Sequence, residues 1–195
     1  MKTALGLCAV LIAFISYVPY LRNIFRGKTK PHAFSWLIWG LLTGIAFFAQ
    51  LRDHGAAGAW VTGFTAVVCL IIFLAALRVG KKNIAPVDWL FLIGAGVALL
   101  LWGVTDDPTS SVILITIIDM LGFVPTFRKS FHHPHEETTI TYTLSAIKFA
   151  IAIAALSTFS VVTVLYPLSL VITNSLFVAM VFIRKQKLVA DVSPF

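Results

Sequence analysis

The chain is 195 residues long, 59% hydrophobic and only 12% charged, with a formal net charge of +7. A soluble protein carries roughly 25% charged residues, so too little polar surface exists here to clothe a water-exposed core, and a soluble globular fold is excluded. The basic excess belongs to no module that reads nucleic acid, so nucleic acid is not an expected partner and the charge is read as membrane topology.

Seven apolar segments, 3–20, 33–52, 55–78, 87–103, 110–127, 138–157 and 160–183, take up nearly the whole chain. Most approach the roughly 17–25 residues that cross a hydrocarbon core about 30 Å thick. The first is expected to be retained, because no short polar cleavage region precedes Arg22 and Arg26, and Cys8 follows Leu7 where lipid attachment wants a small residue. Cys8 and Cys69 both lie in apolar segments and read as buried small hydrophobes rather than a disulfide framework. The fourth segment is the shortest, bracketed by Lys81, Lys82 and Asp88 on one side and Asp106 and Asp107 on the other.

With seven spans, the basic residues sort to one face. Arg22, Arg26, Lys28, Lys30, Arg78, Lys81, Lys82, Arg128, Lys129, Arg184, Lys185 and Lys187 fall on that side, Lys2 and Arg52 on the other, and Lys148 inside a span. Basic short loops stay cytoplasmic. The expectation is an integral protein of a bacterial cytoplasmic (inner) membrane, amino terminus outside and carboxyl terminus inside, with membrane lipid, including anionic headgroups, as a partner.

The halves repeat each other. Val18, Pro19 and Arg22 match Val124, Pro125 and Arg128 at a separation of 106, and Arg78 matches Arg184 at the same separation. Allowing a three-residue shortening, Pro31 and His32 match Pro134 and His135. The fold class expected is all-α: two parallel three-helix repeats, residues 1–78 and 107–195, joined by a linker helix within 79–106.

This three-plus-one-plus-three plan, with a proline near the basic end of the first helix of each repeat, resembles the SWEET sugar transporters and the wider PQ-loop superfamily. Phe127, Arg128, Lys129 and Ser130 after Pro125, and Lys28 and Thr29 ahead of Ser35, are similar to that family's basic and hydroxylic stretch. Asn174 looks like one of its central asparagines. The resemblance implies a seven-helix transporter fold and a small polar solute as cargo.

Three polar residues in otherwise apolar segments carry the functional expectation. Asp119, Lys148 and Asn174 lie about 12, 15 and 14 Å from the inner ends of their spans at 1.5 Å per residue, so they share one level. Ionisable groups at that depth face protein or water and mark either a pathway or a structural ion pair. A substrate-binding or proton-coupling site is therefore expected at Asp119, Lys148 and Asn174, with Trp39, Ser16 and Thr65 contributing from the first half. The repeat sets Ala13 opposite Asp119, Ile45 opposite Lys148 and Val68 opposite Asn174, so charge belongs to the second half alone. The solute is expected to be a sugar or, given those charges, an amino-acid-like, zwitterionic or anionic metabolite, with protons as a coupled partner.

Pro19, Pro125 and Pro167 read as hinge or gate positions, with helix termination the competing reading for the first two. His32 and His135 read as a gate contact. Trp36, with Trp89, Trp60 and Trp102, reads as an interfacial anchor. The run His132, His133, His135, Glu136 and Glu137 has metal-ligating side chains, but Pro134 interrupts it and no helical zinc pattern is present. It reads instead as the cap of the sixth span, with no metal and no cofactor expected. No nucleophile, base or phosphate loop converges in the sequence, so an enzyme is not expected; a membrane scaffold or receptor subunit is the competing class. A homodimer is a further expectation, although seven spans already contain both triple-helix units.

Overall fold

A computed structural model describes the backbone of residues 1–79, 86–105 and 107–192. Lys81, Lys82 and Asp106, and the side chains of Asp88 and Trp102, on which sequence expectations fall, lie outside the described residues. Seven helices follow one another: α1 (Lys2–Phe25), α2 (Ala33–Arg52), α3 (Ala57–Val79), α4 (Pro86–Thr105), α5 (Pro108–His132), α6 (Thr139–Ala155) and α7 (Val161–Val192), with a 3-10 turn at Pro134–Glu136 before α6. Helices α1, α2, α3, α5 and α7 are each long and apolar enough to cross a membrane, and α6 is a shorter apolar helix of 17 residues. The chain is a multi-span α-helical membrane protein. Its outward surface is apolar: Leu7, Phe14, Phe48, Leu74 and Leu176 are all exposed, as lipid-facing residues are. Trp60 and Trp89 are also exposed.

Each helix end has a local cause. Helix α5 opens with Pro108 in its first turn and Asp107 as its cap, whose carboxylate accepts the backbone N–H groups of Thr109 at 3.0 Å and Ser110 at 3.1 Å. The Ser110 side chain, then the Ser110 and Thr109 amides, hold the Asp107 carboxyl below its ordinary value of 3.8. Beyond α1 the chain turns through Gly27 at φ +69°, a left-handed conformation that a glycine adopts without strain.

The prolines do not end their helices. Pro19 and Pro125 lie inside α1 and α5, which continue to Phe25 and His132, and Pro167 lies inside α7. Helix termination is thereby excluded for all three. A proline inside a helix removes one N–H and displaces the carbonyl four residues earlier. At Pro167 that carbonyl is Thr163 O, and Gln50 of α2 donates its Nε2 to it at 3.4 Å.

The packing order is α1 on α3 and α3 on α2, with α5 on α7 and α7 on α6; the groups meet where α1 packs on α6 and α2 on α5. Across these two junctions, one hydrogen bond occurs twice. Ser35 Oγ donates to Gly122 O at 3.0 Å, and Thr141 Oγ1 donates to Ser16 O at 2.9 Å. Donors and acceptors are each separated by 106 positions. The acceptors stand three residues before Pro125 and Pro19, where the disturbed turn leaves room for a hydroxyl from the neighbouring helix.

The three-residue shortening expected between the halves therefore does not extend into α6. Pro31-His32 and Pro134-His135 sit in connections of different build, the second containing the 3-10 turn. Within the helices the register remains 106, which sets Leu42 rather than Ile45 against Lys148.

Close approach of α1 to α3 depends on Gly6, where an added Cβ would lie 2.6 Å from Ala57 O. Small residues let transmembrane helices approach in this way. Gly6→Val is expected to lower stability by about 1–3 kcal/mol, whereas Gly44→Ala, with nothing within 4 Å of the new methyl, leaves it unchanged or raised; thermal unfolding in detergent checks both.

Candidate functional site

Asp119, Lys148 and Asn174 are all buried in protein and none faces lipid; Asp119 and Lys148 have no exposed surface and Asn174 has 4%. Asp119 and Lys148 are nevertheless not ion-paired. Lys148 Nζ, on α6, donates to Tyr17 Oη of α1 at 2.9 Å and Thr65 Oγ1 of α3 at 3.0 Å, and lies 4.3 Å from the Tyr17 ring centroid and 4.9 Å from that of Phe149. Hydroxyls and aromatic faces thus solvate the ammonium. Asp119 turns toward α7, where Tyr166 Oη donates to Oδ1 at 3.0 Å; Tyr166 also shares a 2.9 Å hydrogen bond with Thr43 of α2. The structural bridge expected as one reading of the two charges is absent, because each residue faces a different neighbouring helix.

A cavity of about 40 Å³ lies among these helices. It has room for water and is too small for a metabolite. Asp119, Asn174, Trp39 and Thr65 line it, as expected of a site. Asn174 Nδ2 donates to Leu170 O of its own helix at 2.7 Å. Two expected residues stand apart. Ser16 is fully buried but does not line the cavity, and its hydroxyl is taken by Ala13 O at 2.7 Å. Lys148 does not line it either: Tyr17 and Thr65, which hold the ammonium, form that part of the wall.

Three buried polar atoms around this cavity have no hydrogen-bond partner, as have five elsewhere among the described residues. Asp119 Oδ2, Trp39 Nε1 and the Tyr142 hydroxyl are buried and accept or donate no hydrogen bond. They come from α5, α2 and α6 and line the same space. An orphaned buried donor or acceptor costs roughly 1–3 kcal/mol, so three in one place concentrate that cost around the cavity.

Several lining residues were not singled out from the sequence. Tyr17 and Phe123, Trp36 and Tyr142, and Trp39 and Ser145 all line the cavity, and each pair is separated by 106 positions. That coincidence was the available signal, since a ring or hydroxyl recurring at the repeat distance marks a surface on the axis between the halves. Trp36 departs from its expected role as an interfacial anchor. It is 3% exposed, donates Nε1 to Tyr20 Oη at 3.2 Å and meets Trp39 edge to face with centroids 5.0 Å apart. Cys69 is buried and lines the cavity, whereas Cys8 is exposed; both are free thiols.

The halves are stitched together on both sides of the cavity. Toward the basic end, Lys129 Nζ of α5 reaches Glu137 Oε2 at 2.6 Å and Lys30 O at 2.8 Å, and Lys30 Nζ reaches Glu136 Oε1 at 2.8 Å. Thr138 Oγ1 is shared by Asn23 and Thr29. Glu136 and Glu137, expected in the first turn of the sixth span, precede α6; Glu136 ties the α5–α6 connection to Lys30 of the α1–α2 connection, and Glu137 pairs with Lys129 of α5. At the other end, Ser160 Oγ donates to Asp53 Oδ2 at 2.6 Å, and Gln50 reaches Thr163 as described above.

His32 is buried at the start of α2, its Nδ1 3.3 Å from Ser35 Oγ, while His135 is exposed in the 3-10 turn. A pocket at the basic end is lined by His32, His132 and His133 but not by His135. Among the described residues no group of three or more His, Cys, Asp and Glu side chains is placed to hold a metal ion. No protein-family model, curated protein or solved structure matches the chain.

Glu137 has a side chain only 1% exposed, against 13% for Lys129. Removing one member of a buried pair strands the other. Lys129→Gln is expected to destabilise the protein by about 3 kcal/mol, and adding Glu137→Gln recovers most of that loss; denaturant titration of the single and double variants checks it.

Proposed function

We propose that this protein is an alternating-access transporter of a small polar solute, in which the helices of 1–78 and 107–195 act as two repeats that rock about a linker helix in 79–106. One observation carries the reading: unpartnered polar atoms of Asp119, Trp39 and Tyr142 converge on a buried cavity between the halves. The repeated Ser35–Gly122 and Thr141–Ser16 hydrogen bonds support a two-fold plan, and the polar contacts on both sides of the cavity support an occluded state. Pro19, Pro125 and Pro167, inside helices, are the hinge positions.

The resemblance to SWEET and PQ-loop transporters agrees with this plan and with the seven-helix count. In that reading the basic end is cytoplasmic, the amino terminus is outside and the membrane is a bacterial inner membrane. The site contains both repeats within one chain, so a homodimer is not needed to complete it.

The chemistry of the cavity defines the cargo. A solute must donate a hydrogen bond to Asp119 Oδ2 and accept one from Trp39 Nε1, while its apolar face rests on the rings of Trp39 and Phe123, whose centroids are 4.5 Å apart. Hydroxyl and amino compounds meet these demands. An anionic group reaches Lys148 only if opening of the halves uncovers it from behind Tyr17 and Thr65. Asp119 is also the residue at which a proton exchanges if transport is coupled to a gradient. Because the cavity admits only water-sized guests in this conformation, solute entry requires the halves to separate.

The test is uptake or exchange of sugars, amines and amino acids in proteoliposomes with and without an imposed pH gradient. Asp119→Asn retains an acceptor for Tyr166 but loses the charge, and is expected to reduce uptake of the identified solute at least about tenfold. Full activity of that variant, or exchange of no solute under any gradient, overturns the proposal and favours a scaffold.

A further inference from the structure

A second space lies at the basic end, apart from the central cavity. Six basic side chains, Lys30, His32, Arg128, Lys129, His132 and His133, line it together with two prolines, and no carboxylate does. Its volume is about 270 Å³, against about 40 Å³ for the central cavity. We infer that this pocket binds a phosphate group, either free inorganic phosphate or the headgroup of an anionic phospholipid.

Three permanent cations and three histidines around one space repel one another unless counter-charge is present. Glu136 and Glu137 supply part of it by pairing with Lys30 and Lys129, but neither glutamate faces the pocket. The pocket side is therefore uniformly basic. Lys30 uses one ammonium N–H on Glu136 Oε1, which leaves donors for a second anion. The guanidinium of Arg128 has a planar fork of donors that matches phosphate oxygens.

Position supports the same ligand class. The pocket lies between the last turns of α5 and the α1–α2 connection, where the membrane-crossing helices end. Basic pockets between helices at that level receive lipid headgroups. The carbonyl end of α5 opposes an anion, but that field decays within a turn and is screened by salt, whereas the basic side chains surround the space directly. Phosphate oxygens at Lys30 and Lys129 would compete with Glu136 and Glu137, so occupancy would loosen the contacts that join the halves at this end.

The test uses the full chain and two probes. Inorganic phosphate is titrated against protein in zwitterionic detergent by ³¹P line broadening. Phosphatidic acid is titrated in phosphatidylcholine nanodiscs by native mass spectrometry. Arg128→Gln combined with His133→Gln changes two exposed residues outside the two lysine–glutamate pairs. It is expected to weaken whichever probe binds by about tenfold, while Arg78→Gln, an exposed basic residue outside the pocket, leaves binding unchanged. Arg128→Lys, which keeps the charge and loses the fork, is expected to fall between wild type and the double variant. Binding of both probes identifies a site for phosphate itself, and binding of phosphatidic acid alone identifies a headgroup site. Absence of binding by both probes, or equal weakening by Arg78→Gln, overturns the assignment.

Discussion

Inside a hydrocarbon layer there is no water to satisfy a polar group, and the arrangement of this bundle follows from that constraint. Prolines in three helices disturb carbonyls that water would otherwise cover, and side chains from neighbouring helices cover them. Gln50 reaches the carbonyl released by Pro167, and Ser35 and Thr141 reach carbonyls one turn before Pro125 and Pro19. These contacts fix which helix lies against which. Lys148 obeys the same constraint by drawing two hydroxyls and two aromatic faces around one ammonium.

Around the central cavity some polar atoms stay unpaired. Several hydroxyls in the bundle donate to a carbonyl of their own helix, as Thr116, Ser169 and Thr173 do. Trp39 Nε1 and Asp119 Oδ2 have no such local outlet, because an indole is too large to fold back on its turn and a carboxylate cannot donate. Their burial without partners is a cost carried by the surrounding packing. Polar contacts tie the helices together on either side of that cavity.

Hydropathy and charge made the membrane class and most helix positions legible, because insertion selects on these quantities directly. The burial of Asp119, Lys148 and Asn174 was legible too, since polar groups in apolar helices turn away from lipid. Which way each side chain turned was not. Lys148 and Asp119 are both buried yet face different helices, a distinction set by rotation about each helix axis and by where Tyr17, Thr65 and Tyr166 happen to stand. Ser16 illustrates the same limit, since a hydroxyl at the right depth satisfied its own helix. The α2–α6 register was misread because matching dipeptides in two loops seemed to require a deletion, whereas loops of unequal build absorb such differences without shifting the helices.

The placement of Lys148 behind the cavity wall bears on membrane voltage. Asp119 and Lys148 are formally of opposite sign and do not touch, and each is bound into its surroundings by neutral hydroxyls. A single unbalanced charge carried through the field feels about 2.3 kcal/mol per 100 mV. A displacement that carried both charges equally along the membrane normal would move no net charge through the field, whereas one that separated them would couple the bundle to the potential.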